Sequence, residues 1–206
     1  MELLLFSDLH RDREAATRLV ELTRNHSIDV AVGAGDFASI RNGLCDTLDI
    51  LRDLTCPLIL VPGNAETDQE LRQACDGWEN AHVLHGECVE LGGIPFFGLG
   101  GAVPVTPFGA WSFDLDEEAA AALLLDCPTG AVLVTHSPPL EVVDINSQGR
   151  HLGSRAILAA IEAKEPRLAV CGHIHDSWEQ TATVGKTTVI NAGPRGVFWT
   201  LENSVN

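Results

Sequence analysis

Short apolar runs alternate with amphipathic stretches from the first residues onward, and this rhythm limits the folds open to the chain more than any other feature. Leu3–Phe6 is apolar at every position, the pattern of a strand covered on both faces. A helical pattern follows from Asp12 to Asn25, then an apolar run at Asp29–Gly33, a helix at Leu44–Leu54, a run at Pro57–Val61 and a short helix at Thr67–Cys75. Strands separated by helices are joined by crossovers, so the spacing predicts a sheet with parallel strands. Between His82 and Val105 the residues alternate, glycines are frequent and prolines interrupt. That stretch predicts hairpins that close one sheet edge and begin another. The rhythm then resumes with a helix at Asp116–Asp126, a strand at Ala131–Thr135, a helix at Ser154–Lys164 with Ser154 as its N-cap, and a strand at Leu168–Cys171. Three β-type runs close the chain, at Thr181–Val184, Thr187–Ile190 and Val197–Leu201. With no linker, repeat or low-complexity tract, a single α/β domain over residues 1–206 is expected.

Charge narrows the partners. The 206 residues carry 13 Lys+Arg against 29 Asp+Glu, a formal net charge of −16. Between Arg72 and Arg150 there are eleven acidic residues and no basic one. Duplex nucleic acid and anionic membranes are held by clustered Lys and Arg, so neither is an expected partner. An acidic chain acts on phosphates only where something other than its side chains supplies local positive charge. The opening apolar run is far too short to span a bilayer and follows no basic segment, so no signal peptide is expected. The six cysteines show no C-x-x-C and no regular spacing. They read as free, mostly buried thiols of a cytoplasmic protein.

The polar residues of interest stand just after the strands, where open α/β sheets place their ligand sites. Ser7-Asp8-Leu9-His10 follows the first strand, Gly35-Asp36 the second, and Gly63-Asn64 the third. His136 follows the run at 131–135, and Gly172-His173-Ile174-His175 the run at 168–171. A D-x-H or H-x-H pair puts two side chains on one side of an extended segment, about 7 Å apart. One segment can therefore supply two ligands to one metal or to two adjacent metals. Taken singly, each of these is an ordinary turn residue. Five strand ends in order, with two carboxylates, one amide and four of the eight histidines, form a metal-ligand set. Of the other histidines, His26, His82 and His85 read as structural.

This ordered set resembles the calcineurin-like metallophosphoesterase superfamily. The pattern D-x-H, G-D, G-N-H-[DE], H, G-H-x-H stands here as Asp8/His10, Gly35-Asp36, Gly63-Asn64-Ala65-Glu66, His136 and Gly172-His173-Ile174-His175. Phe97–Gly101, Thr106–Gly109, His136–Pro139 and Gly153-Ser154 are similar to its small prokaryotic, phosphodiesterase-like branch. The resemblance implies a four-layer αββα sandwich and two divalent metal ions, Mn, Fe or Zn. Asp8, His10, Asp36 and His175 would hold one; Asp36, Asn64, His136 and His173 the other, with Asp36 bridging. Asp36, Asn64 and His136 are then also the catalytic set. Two ions about 3.5–4 Å apart can share a hydroxide, polarise phosphoryl oxygens and orient an in-line attack without a protein nucleophile. The implied activity is hydrolysis of a small phosphorylated substrate.

One departure matters. The histidine of G-N-H-[DE] is Ala65 here. In the family it positions substrate and protonates the leaving alkoxide, and a general acid is worth about 10²–10⁴-fold. Small members that lack it are associated with phosphodiesters, so a phosphodiesterase is expected. Arg11, Arg195 and His151 are the expected substrate contacts. The alternative is a non-catalytic metal-binding scaffold of the same fold that binds a protein partner; the retained set of seven ligands favours the enzyme. Gly33-Ala34-Gly35-Asp36-Phe37-Ala38 matches G-x-G-x-x-A, but a carboxylate at its fourth position would face the pyrophosphate that such a turn holds. Phe108, Trp111 and Phe113 read either as an apolar wall for substrate or as a cluster capping the core. Oligomeric state is left open by these features.

Overall fold

The computed structural model describes residues 1–202. The chain runs β1 (Glu2–Phe6), α1 (Arg13–Asn25), β2 (Val30–Gly33), α2 (Leu44–Leu51), β3 (Leu58–Leu60), α3 (Asp68–Ala74), β4 (Ala81–Val83), β5 (Glu87–Leu91) and β6 (Ile94–Leu99). It continues through α4 (Glu117–Leu124), β7 (Val132–Thr135), α5 (Arg155–Lys164), β8 (Leu168–Cys171), β9 (Thr181–Val184), β10 (Thr187–Asn191) and β11 (Val197–Thr200). One sheet has the order β11-β1-β2-β3-β4, the other β5-β6-β7-β8-β10-β9. In the first, β1 to β4 are parallel and β11 returns antiparallel to β1. In the second, β6, β7, β8 and β10 are parallel, with antiparallel β5 and β9 on its edges.

Alternation along each strand builds the layers. Leu3 and Leu5 of β1, Val30 and Val32 of β2 and Ile59 of β3 meet Phe96, Val132, Val134, Leu168 and Val170 of the other sheet. The opposite faces, Leu4, Phe6, Leu58 and Leu60, pack on Leu19 of α1, Leu48 and Leu51 of α2 and Leu71 of α3. On the far side Phe97, Leu133 and Ala169 pack on Ala120 and Leu124 of α4 and Ile157 and Ile161 of α5. The result is the expected αββα sandwich, with apolar residues on both faces of its parallel strands.

Helix starts follow the capping chemistry. Asp12 accepts from the backbone of Glu14 and Ala15, Asp116 from Ala119 and Ser154 from Ile157, while Thr67 and Glu70 form a reciprocal capping box. Two expectations shift. The helix beginning at Leu44 ends at Leu51, where the Arg52 guanidinium donates to Ala74 O and the chain turns. The segment from His82 begins inside β4, a parallel edge strand, and only β5 and β6 form a hairpin. Cys56, Cys75, Cys127 and Cys171 are buried, Cys45 and Cys88 exposed, and all six are free.

Candidate metal centre

The loops after β1, β2, β3, β7 and β8 meet at one end of the sandwich. Asp8, His10, Asp36 and His173 all have positive φ, at 54°, 45°, 59° and 68°. Left-handed turns at the strand ends swing these side chains inward, and non-glycine residues in that region mark sites where conformation serves function. Glycines make the close approach possible. A Cβ on Gly35 would lie 2.6 Å from both Gly63 Cα and His136 Nδ1, and one on Gly63 would strike the Asp36 carboxylate. The G-x-G-x-x-A stretch therefore serves to seat Asp36 beside the Gly63-Asn64 turn.

Two overlapping groups of ligand atoms result. Asp8, His10 and His175 form one and Asp8, Asp36 and His136 the other, with the atoms of each within 4.8 Å of one another. Asp36 reaches both, with Oδ2 3.5 Å from His10 Nε2 and Oδ1 3.4 Å from His136 Nε2. Asn64 Oδ1 is 3.2 Å from His136 Nε2. His173 stands outside both groups; its ring packs edge-on to His136 with centroids 4.9 Å apart.

The donor chemistry fits divalent cations. His10 Nδ1 lies 3.2 Å from Ala38 O and His136 Nδ1 2.8 Å from Ala34 O. Carbonyls only accept, so each Nδ1 donates to its carbonyl and each Nε2 faces the site. His10 Nε2 faces His175 Nε2 at 3.1 Å; His136 Nε2 faces Asn64 Oδ1 and Asp36 Oδ1. Nitrogen and oxygen atoms able to ligate a cation thus converge from several elements, a mixed N/O set that suits divalent ions.

Electrostatics point the same way. Burial, and then the neighbouring Asp8 charge, push Asp36 up to about 7. Asp8 is held well below the usual carboxylate range: burial opposes the shift, but His175, His136 and the Ser7 hydroxyl outweigh it. Burial and neighbouring His136 push His173 down to about 3. Two adjacent buried carboxylates cannot both ionise cheaply without a cation between them.

Several supporting residues left little trace in the sequence. Ser7 Oγ donates to Asp8 at 2.5 Å and accepts from Gly193 N, while Trp178 Nε1 and His173 N donate to Asp8 at 3.1 Å. Asn191 Nδ2 donates to the carbonyls of Val143, Gly172 and Ile174, anchoring the Gly-His-Ile-His turn. Glu66 is buried and accepts from the backbone N–H groups of Asp36, Phe37, Ala38 and Gly63. Its position in G-N-x-[DE] was the one available signal. Burial, and next the Asp36 charge, push it up to about 7, against four donors that favour the carboxylate.

The ligands open into a cavity of about 550 Å³ lined by His10, Asp36, Asn64, His173 and His175 together with Ile40, Phe108, Trp111 and Leu152. Phe113 instead packs on His85, so of the three aromatic residues Phe108 and Trp111 line the cavity. The expected substrate contacts are placed elsewhere. Arg11 faces Asp46 at 3.9 Å, Arg195 faces Glu179 at 3.5 Å, and His151 Nδ1 meets the buried Asp144 at 2.6 Å. None of the three lines the cavity. The Asp144 hydrogen bond raises the His151 pKa above its usual value, so any stability it contributes is full below about pH 6.5 and fades as pH rises through the folded-state value. An NMR titration is expected to place the His151 midpoint above about 6.5; a midpoint at or below that value would show that Asp144 does not hold the charged ring.

A layered αββα fold with overlapping metal-ligand groups at its strand ends defines a metal-dependent phosphoesterase architecture. The chain belongs to the calcineurin-like phosphoesterase superfamily, whose domain model matches residues 1–203. A UPF0046 protein of Caenorhabditis elegans is 34% identical over 125 residues, 57% of this chain and 30% of that protein. The human metallophosphoesterase domain-containing protein 1 is 31% identical over 141 residues, 65% of this chain and 39% of that protein. The matches thus span 30% and 39% of those relatives' own lengths. The crystal structure of TT1561 of Thermus thermophilus superposes with a TM-score of 0.76 at 17% identity, covering 94% of this chain and 90% of that one. Among the described residues no helix is long and apolar enough to cross a membrane.

Proposed function

We propose that the chain is a dinuclear-metal phosphoesterase that hydrolyses diesters of a small phosphorylated substrate. The observation that carries this reading is the convergence of nitrogen and oxygen atoms from five strand ends beside a cavity whose lining contains no lysine or arginine. Positive charge for a phosphoryl group must then come from bound ions. Asp8, His10, Asp36 and His175 would hold one ion, and Asp36, Asn64, His136 and His173 the other. When bound, the ions supply Lewis acidity to the phosphoryl oxygens and lower the pKa of water.

The chain's own residues position that chemistry. The Nδ1–H bonds of His10 and His136 fix which ring nitrogen faces the site. Ser7 and Trp178 orient Asp8, and Glu66 ties the Asp36 turn to Gly63. Ala65 lines the cavity where the family histidine would stand, so no imidazole there gives a proton to the leaving group. Substrates that leave as stable anions suit such a site. With Mn²⁺, hydrolysis of bis(4-nitrophenyl) phosphate is expected to exceed that of an alkyl phosphomonoester by about 10²-fold or more, the lower bound of a general acid's worth. The reverse ranking overturns the diester preference. Two ions by elemental analysis with no turnover of any diester would instead favour the binding scaffold.

A further inference from the structure

Ile40 sits in the turn Ser39–Asn42 with φ 46°, followed by Arg41 at φ 63°. The turn is closed by backbone bonds between Ser39 and Asn42 and by Arg41 N donating to Ala65 O at 3.0 Å. A β-branched residue in the left-handed region is a steric outlier that Gly or Asn would avoid. Packing within the protein returns little for it, because Ile40 is 55% exposed. Its side chain lines the metal cavity. Strain that gains little internal packing is a mark of a functional position.

The surroundings say what Ile40 would touch. Phe108 and Leu152, 50% and 43% exposed, line the same cavity, and Phe108 stacks on Trp111 with centroids 5.3 Å apart and planes 15° apart. Three of the seven exposed large hydrophobic residues among those described therefore line one cavity. Exposed apolar surface gathered around a polar site marks a ligand contact. The lining also carries Asp176 and no lysine or arginine, which disfavours a second phosphate or any further anion on the substrate.

We propose that the cavity mouth is a subsite for an uncharged, apolar ester substituent of the phosphodiester, with Ile40 as its specificity-determining contact. The inference rests on the phosphodiesterase reading of the metal centre. Dibutyl and dimethyl phosphate carry the same single charge and differ only in apolar size, so they probe the subsite whichever substituent leaves. Against bis(4-nitrophenyl) phosphate hydrolysis by Mn²⁺-loaded protein, dibutyl phosphate is expected to inhibit at least tenfold more tightly than dimethyl phosphate, the low end of methylene discrimination in apolar pockets. Ile40→Asn, which accepts a positive φ, is expected to shrink that ratio to about threefold or less, a partial loss on the same scale. The dimethyl value should stay unchanged and the thermal midpoint should not fall; Phe108→Ala should shrink the ratio likewise. Equal inhibition by both diesters in the unaltered protein overturns the subsite while leaving the diesterase reading intact. A lowered midpoint in Ile40→Asn would assign the residue to internal packing and overturn its role. Absence of any diester turnover overturns the underlying reading, and this inference with it.

Discussion

Asp36→Asn is expected to lower diester hydrolysis by about 10³-fold or more and to reduce bound metal from two ions per chain to one or none. Asp36 places one oxygen 3.5 Å from His10 Nε2 and the other 3.4 Å from His136 Nε2. Its Oδ1 also accepts from Ala65 N at 2.7 Å. Asparagine can keep that last bond, which turns its NH₂ group toward His10. A hydrogen then points where an ion needs a lone pair. Several kcal/mol of charge stabilisation depend on the ions, and each 1.36 kcal/mol is about tenfold in rate. Without metal the sign reverses. The Asp36 pKa rises from 3.8 to about 7, so the contribution of this group to stability falls as pH climbs between those values. Asparagine cannot ionise and escapes that loss. In chelator at pH 8 the variant should melt no lower than the parent protein. Elemental analysis, a diester assay and paired melting curves check all three; two ions with full activity would falsify the bridging role.

The strand ends were legible because each obeys a local rule. An apolar run long enough for one strand is followed by a polar residue, and topology brings those ends together. The helix cap Ser154 was readable for the same reason, since its side chain lies within three residues of the N–H group that it caps. What escaped depends on distant or backbone partners. Trp178 reaches Asp8 across 170 positions, and no spacing rule links an indole to a carboxylate at that separation. The positive φ of Ile40 is set by the turn it closes and by Ala65 O, whereas isoleucine by itself signals a strand or a core. Arg11 stands beside His10 in the sequence, and Arg195 follows the run that ends at Ile190. Their side chains run outward to Asp46 and Glu179, because adjacency along a chain does not decide which way a long, flexible side chain turns.

Glu66 is the clearest case of a role hidden in backbone contacts, and its removal carries the second large effect. Oε1 accepts from Asp36 N and Gly63 N at 2.8 Å and from Phe37 N at 3.3 Å, and Oε2 from Ala38 N at 2.9 Å. One carboxylate thus joins the turn that carries Asp36 to the turn that carries Asn64. Glu66→Ala leaves four N–H groups without their acceptor. Burial and the Asp36 charge offset part of the gain from an ionised Glu66, so about 1 kcal/mol per orphaned N–H, the low end of the usual penalty, is appropriate. The total of about 4 kcal/mol corresponds to a fall in thermal midpoint of roughly 8–16 °C for a chain of this size. Metal affinity should weaken about 10–100-fold, as it does when groups behind metal ligands are lost. Glu66→Gln separates hydrogen bonding from charge. Its carbonyl oxygen can take the three bonds now made to Oε1, while its NH₂ opposes Ala38 N–H, so its midpoint and affinity should fall between those of the parent and the alanine variant. A Glu66→Ala protein that melts within about 2 °C of the parent, a change of about 0.5–1 kcal/mol, and retains both ions would show that the two turns hold their geometry without the shared carboxylate.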